Sequence, residues 1–141
     1  MGKSRIRESN RQLSIAMQDM FVRQRFPQFR FSWQSGTGLW RGTLQPREIS
    51  PVYSVLMKYK VGAIPRIWVT SPPLRSDAPH RYKDGSLCLF WHKEWNWDPD
   101  QDLSVTVMPW AAIWIYYYEL WLDVGEWLVE SVSHSPPSQG D

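Results

Sequence analysis

The sequence predicts an α+β fold built as one domain, and three patterns support this expectation. Apolar residues near the N-terminus recur at helical steps of three and four, four segments with the character of strands follow, and an apolar helical segment lies near the C-terminus. Between the last strand and that helix, residues 71–109 lose all periodicity. We therefore expect an N-terminal helix, a four-stranded antiparallel meander, a long irregular segment and a buried C-terminal helix.

The first helix follows a capping-box pattern formed by Ser9 and Gln12, and Pro27 is expected to end it. Its predicted apolar face consists of Leu13, Ala16, Met17, Met20 and Phe21. Because these positions recur at steps of three and four, we expect this face to pack on the core.

Four strands are predicted next, with Gly or Pro in each connection. They are residues 29–33, residues 39–44, residues 53–60 and a short run opened by Pro65. The strongest alternation lies at 53–60, where one face carries Tyr53, Val55, Met57 and Tyr59. The turn residues between the strands make an antiparallel meander the simplest arrangement.

The C-terminal helix is predicted over residues 109–124, with Pro109 in its first turn and Gly125 as its cap. It is apolar on nearly all sides, so we expect burial on most of its faces. A helix of this length spans about 24 Å against a hydrocarbon core of about 30 Å. Glu119 and Asp123 also interrupt it, so we expect a core helix and no membrane partner.

The composition excludes several classes of protein. The 141 residues are 43% hydrophobic with a net charge of +2, which fits one domain over residues 1–130 and a disordered polar tail over 131–141. The lone cysteine, Cys88, excludes a disulfide scaffold, and the near-neutral charge argues against nucleic acid as the main partner. No apolar run follows the basic N-terminus, so we expect a cytoplasmic protein.

A segment as long and irregular as 71–109 is rare in a compact domain unless it is functional. Here the sequence resembles the active-site region of ubiquitin-conjugating (UBC-fold) enzymes. The resemblance rests on residues 71–74, Pro79, His80, residues 84–89 and the aromatic residues Trp95 or Trp97, Trp110, Trp114, Tyr118 and Trp121. It covers residues 12–134 and implies a UBC-like fold. It also implies that Cys88 carries a ubiquitin-like C-terminus as a thioester.

The ending with Gly125, Trp127, Glu130 and His134 is similar to a bacterial branch found in cyclic-oligonucleotide antiphage (CBASS) operons. For that branch, the resemblance implies a specific partner, the C-terminus of a cGAS-like nucleotidyltransferase (CD-NTase), whose conjugated form is primed to signal.

The sequence departs from the ubiquitin pattern after His80. The family has Pro-Asn at the positions of Arg81 and Tyr82, and its Asn is credited with stabilising the oxyanion when a lysine attacks. The resemblance therefore implies thioester formation at Cys88 without implying isopeptide formation on lysine.

Cys88 is the candidate nucleophile, and the alternative is a small buried hydrophobe. His80 and His92 flank it in sequence, and either could assist proton transfer as the acceptor attacks. We favour a structural turn role for His80 and leave His92 open. A zinc site built from these three residues and His134 lacks the short paired spacings of structural zinc sites, so we expect neither metal nor cofactor.

Other candidates surround the cysteine in sequence. Tyr82 either donates a hydrogen bond in place of the missing Asn or anchors the core. Asp98 and Asp100 either orient or deprotonate an incoming amine or are merely solvated. Three indoles either line a groove for the partner's tail or fold back as core: Trp91, Trp95 and Trp97.

The chain lacks a P-loop, so it cannot adenylate a carboxylate by itself. Either a separate activating enzyme loads Cys88 or the partner's C-terminus reaches it by another route. Three functions remain open: a UBC-like transferase, a non-catalytic adaptor of the same fold that binds the partner's tail, and a tryptophan-rich carbohydrate- or capsid-binding domain outside the family.

Overall fold

The computed structural model describes residues 12–91 and 94–128, so the tail predicted at 131–141 lies outside the described residues. Its elements are helix α1 (Ile15–Arg25), strands β1 (Arg30–Gln34), β2 (Thr37–Leu44), β3 (Tyr53–Tyr59) and β4 (Arg66–Ser71), a short 3₁₀ helix (Leu89–Trp91) and helix α2 (Val107–Val124). The strands pair antiparallel in the order β1-β2-β3-β4. The predicted α+β class and four-stranded meander are confirmed.

Helix α1 begins later than the capping box predicted. Ser9 lies outside the described residues, and the observed N-cap is Ser14, whose hydroxyl accepts a hydrogen bond from the backbone N–H of Met17 at 3.1 Å. The helix ends at Arg25, where the backbone N–H of Phe26 still reaches the carbonyl of Val22, so the chain leaves the helix just before Pro27.

The predicted apolar face of α1 is wrong. Met17 and Met20 are 42% and 43% exposed, and the buried positions are Ile15, Gln18, Asp19 and Val22. The two polar residues are buried because each has a distant partner. The Gln18 amide donates to the carbonyl of Gln101 and accepts from the N–H of Leu103, while Asp19 accepts a hydrogen bond from the indole of Trp40.

One face of the sheet forms the core, as the alternation in β3 predicted. All four inward residues of that strand are buried. Across the sheet, Trp40 pairs with Met57 and Met57 with Ile67, and none of the three is more than 1% exposed. This aligned row joins three strands through buried side chains.

Helix α2 starts two residues before Pro109 and ends at Gly125, which takes the left-handed conformation (φ 82°) that favours glycine. Its buried side includes Ala111, Trp114 and Ile115. The prediction of burial on most faces is largely confirmed, because within the helix only Ile113 and residues 122–124 at its end are exposed and the others are buried or half-buried. The fully buried residues share one side, which contributes to the core. No helix in the described part of the chain is long and apolar enough to cross a membrane.

Candidate active site

Cys88 lies in a small hairpin formed by residues 80–88, here called the Cys88 hairpin. Its turn is closed by the N–H of Gly85, which donates to the carbonyl of Tyr82 at 2.9 Å. Gly85 has a φ of 87°. A three-residue hairpin loop typically consists of a type I turn followed by one residue in this left-handed conformation. The Asp84-Gly85 pair is therefore the local sequence feature that makes the chain reverse here.

The register of the hairpin determines which side chains meet. The N–H of Tyr82 donates to the carbonyl of Ser86 at 2.9 Å, and the N–H of Cys88 donates to the carbonyl of His80 at 2.8 Å. Tyr82 is thus opposite Ser86 and diagonal to Cys88, on the same face. Diagonal neighbours are within reach of an aromatic side chain, so the register brings Tyr82 to the cysteine.

The hairpin is attached to strand β4 by direct hydrogen bonds. The N–H of Leu87 donates to the carbonyl of Ile67 at 2.8 Å, and the indole of Trp68 donates to the carbonyl of Asp84 at 3.0 Å. These bonds fix the site on the rigid sheet.

Cys88 is partly exposed, whereas its neighbours Leu87 and Leu89 are buried. The chain around the cysteine therefore turns its leucines into the core and leaves the cysteine nearer the surface. This pattern differs from the small buried hydrophobe considered as the alternative.

Tyr82 interacts with the side chain of Cys88, and this interaction is the largest cause that raises the pKa of Tyr82, to which burial adds. Tyr82 is 40% exposed, so it is not an anchoring core tyrosine. A role for its hydroxyl as a hydrogen-bond donor in place of the missing Asn stays a prediction.

His80 contributes its backbone to the site. Its φ is 61°, and its carbonyl accepts hydrogen bonds from the N–H of Cys88 and from the indole of Trp114 at 3.1 Å. Its imidazole contacts the ring of Trp127 edge-on at 4.9 Å, and burial lowers the pKa of His80. These contacts fit the structural turn role favoured for this residue. His92 lies outside the described residues.

Asp98 is exposed, and the hydrogen bonds that join it to Gln101 are made by its backbone: its N–H donates to the side-chain oxygen at 3.3 Å and its carbonyl accepts at 2.9 Å. Asp100 is exposed as well. A role for Asp98 in orienting an incoming amine stays a prediction.

Two of the three indoles predicted to contact a partner's tail pack on the core. Trp95 stacks on Trp110 with ring centroids 5.2 Å apart, and Trp97 meets Tyr59 edge-on at 5.3 Å. Both remain partly exposed. The side chain of Trp91 lies outside the described part of the structure, so the groove stays a prediction.

Two residues of the site were not predicted from the sequence. Asp84 does more than form the turn, because its carboxylate accepts hydrogen bonds from the N–H and the hydroxyl of Ser86 at 2.9 and 2.6 Å, and these bonds lower the pKa of Asp84. Arg66, at the start of β4, also contacts the hairpin. The Asp-x-Ser spacing was a signal for the first, while no local pattern links Arg66 to the cysteine.

Within residues 12–91 and 94–128, no group of three or more histidine, cysteine, aspartate or glutamate side chains could hold a metal ion. Two members of the zinc set weighed above, His92 and His134, lie outside that part of the chain.

The α+β architecture, with a four-stranded antiparallel sheet and a cysteine hairpin attached to its last strand, is consistent with the E2 class, the ubiquitin-conjugating enzymes. A comparison with protein families agrees: the model described as "Type II CBASS E2 protein" matches residues 18–135. The chain belongs to this family, as its resemblance to the bacterial branch predicted. No curated protein matches it.

Proposed function

We propose that this protein is a ubiquitin-conjugating-like transferase whose Cys88 accepts the C-terminus of a partner protein as a thioester. The partner we propose is a cGAS-like nucleotidyltransferase of the same CBASS system, which conjugation primes for cyclic-nucleotide signalling. Membership of the CBASS E2 family supports the class of reaction. The observation that carries the proposal is the partly exposed Cys88 with Tyr82 diagonal to it on the same face of the hairpin.

Loading is a thioester exchange. The Cys88 thiolate attacks the carbonyl carbon of the partner's C-terminal acyl group, which a separate activating enzyme holds as a thioester. The new carbon–sulfur bond forms as the thiolate of the activating enzyme leaves, so no oxidant or reductant is needed. A thioester carrier needs a good leaving group more than a strongly activated thiol, so a tight cysteine–histidine pair is not required.

Tyr82 stands where the ubiquitin family has its Asn. A donor beside the reacting carbonyl stabilises the oxyanion that forms when a nucleophile attacks. We assign to the hydroxyl of Tyr82 a hydrogen bond that is donated first to the Cys88 thiolate and then, as the carbon–sulfur bond forms and the charge moves to the acyl oxygen, to that oxyanion. The backbone of His80 holds the hairpin strand in register. His92 and Asp98 are the candidates for accepting a proton from the attacking group.

The tail of the partner must lie next to Cys88 for the exchange to occur. We propose that the partly exposed rings of Trp95 and Trp97, together with Trp91, contact this tail, because aromatic side chains are common anchors at interfaces.

The test is a loading reaction with the nucleotidyltransferase, an activating enzyme and ATP, read on a non-reducing gel. Wild-type protein should give a covalent adduct that a thiol reagent releases. Cys88→Ser should give an adduct that resists thiol but not base, because an oxyester forms, and Cys88→Ala should give none. A nucleotidyltransferase that lacks its C-terminal residues serves as the control for the cargo.

Tyr82→Phe should slow loading by about tenfold, a modest value for a partly exposed oxyanion donor. Its matched control is Tyr116→Phe, since Tyr116 also faces an arginine, Arg47 at 5.4 Å from its ring, and loading should stay at the wild-type rate.

Binding of the partner without any adduct would contradict the transferase and leave the non-catalytic adaptor. A thiol-labile adduct that also forms without ATP and resists neutral hydroxylamine would indicate a disulfide, which also contradicts the proposal.

A further inference from the structure

Arg66 is the first residue of β4, and its side chain contacts three residues of the Cys88 hairpin. Its guanidinium carbon lies 4.9 Å from the ring centroid of Tyr82. One of its terminal nitrogens donates to the hydroxyl of Ser86 at 3.2 Å and lies 3.8 Å from the carboxylate of Asp84. A planar guanidinium can stack on an aromatic ring and still direct N–H groups sideways, which lysine cannot do.

These contacts fix the ring of Tyr82 from one side. Ser86 is fully buried and donates to Asp84 while it accepts from Arg66, so the position of the guanidinium is set by a satisfied hydrogen-bond network. The ring therefore lies between Arg66 and the hairpin, diagonal to Cys88 on the same face.

We propose that Arg66 is a positioning residue that holds the hydroxyl of Tyr82 against Cys88, so that the phenol stabilises negative charge on the sulfur. Arg66 does not need to touch the reacting atoms for this effect. The inference rests on the proposed function and deepens it, because it explains how a tyrosine could serve at a position where the ubiquitin pattern has Asn.

Electrostatics around the phenol agree with this arrangement. Besides the interaction with Cys88 and burial, which raise the pKa of Tyr82, Arg66 lowers that pKa and Asp84 raises it. The interaction with Cys88 is the largest of these causes.

The test is the rate of alkylation of Cys88 by iodoacetamide at pH 7.5, with no partner present. Cys88 is the chain's one cysteine, so the rate reports this thiol alone. Tyr82→Phe removes a hydrogen-bond donor beside the sulfur, so the rate should fall about threefold.

Arg66→Gln should lower the rate by a smaller factor than Tyr82→Phe does. In the Tyr82→Phe background, Arg66→Gln should leave the rate nearly unchanged, because its effect passes through the phenol. Arg66→Lys keeps the charge without the stacked fork and should resemble Arg66→Gln. The matched control is Arg41→Gln, an exposed arginine of β2, which should leave the rate unchanged.

An equal fold-change from Arg66→Gln in both backgrounds would mean that its charge acts on the sulfur directly, and would overturn the proposal. So would an Arg66→Gln rate equal to that of wild type, or a wild-type rate for Arg66→Lys. If Arg66→Gln fails to fold, the comparison rests on Arg66→Lys alone and on its double variant with Tyr82→Phe. Because alkylation needs no partner, this result is independent of whether Cys88 carries a thioester.

Discussion

The indole of Trp114 donates a hydrogen bond to the backbone carbonyl of His80 at 3.1 Å, and the same oxygen accepts from the N–H of Cys88 at 2.8 Å. Trp114 is fully buried in α2. The core helix and the backbone at Cys88 are therefore joined through one carbonyl oxygen. A substitution that disturbs the packing of Trp114 should also disturb the backbone at Cys88.

We expect Trp114→Phe to lower the free energy of unfolding by about 1–3 kcal/mol, because it leaves a cavity and removes the indole donor. Hydrogen exchange at the Cys88 amide should become faster, since the carbonyl that it pairs with is less restrained. Denaturant unfolding and exchange measurements test both effects. Trp33→Phe, at an exposed position, should change stability by less than about 0.5 kcal/mol; a similar loss in the two variants would contradict the assignment.

Glu119 is a buried carboxylate in α2 that accepts three hydrogen bonds, from Arg47 at 2.9 Å, Ser50 at 2.8 Å and Tyr53 at 2.7 Å. Glu119→Gln should cost about 2–4 kcal/mol, because it removes a charged acceptor from three buried or half-buried donors. Chemical unfolding measures the loss. Asp123→Asn, an exposed carboxylate of the same helix, should be nearly neutral, and equal costs for the two changes would refute the role of Glu119.

The pKa of Tyr53 is raised by burial and by its hydrogen bond to Glu119. A phenol whose pKa is higher in the folded than in the unfolded chain contributes stability that is fully present below the unfolded value of about 10 and is lost as the pH rises above it. The free energy of unfolding should therefore fall as the pH rises from 8 to 11. It should fall more steeply in wild type than in Tyr53→Phe, by up to about 1.4 kcal/mol per pH unit. Burial raises the pKa of Tyr59 in the same direction, so the difference between the two proteins is the informative quantity, and parallel slopes would contradict the prediction.

Burial lowers the pKa of His80. Its contribution to the free energy of unfolding therefore decreases as the pH falls, whereas that of Tyr53 decreases as the pH rises. The stability associated with neutral His80 is present above the unfolded value of about 6.5 and is lost as the pH falls through the lower folded value. His80→Asn, chosen because asparagine tolerates the φ of 61° found here, should lose less stability than wild type between pH 7 and pH 5. Thermal melts at both pH values test this, and an equal loss in the two proteins would rule it out.

Features set by neighbouring residues were predicted well from the sequence. The alternation of Tyr53 to Tyr59 identified the inner face of β3, and Gly125 identified the end of α2. The Asp84-Gly85 pair indicated the reversal that precedes Cys88. In each case the deciding factor is local: side chains alternate along a strand, and glycine adopts a positive φ at little cost.

The sequence by itself thus determined the class of fold, the family and the location of Cys88 after a turn. Only the tertiary structure decided which side of α1 is buried, because Gln18 and Asp19 are stabilised there by partners far along the chain. It also decided that Arg66 meets Tyr82 beside the thiol. Contacts of this kind depend on how separate segments pack together in space, and a periodic pattern along the chain carries no information about them.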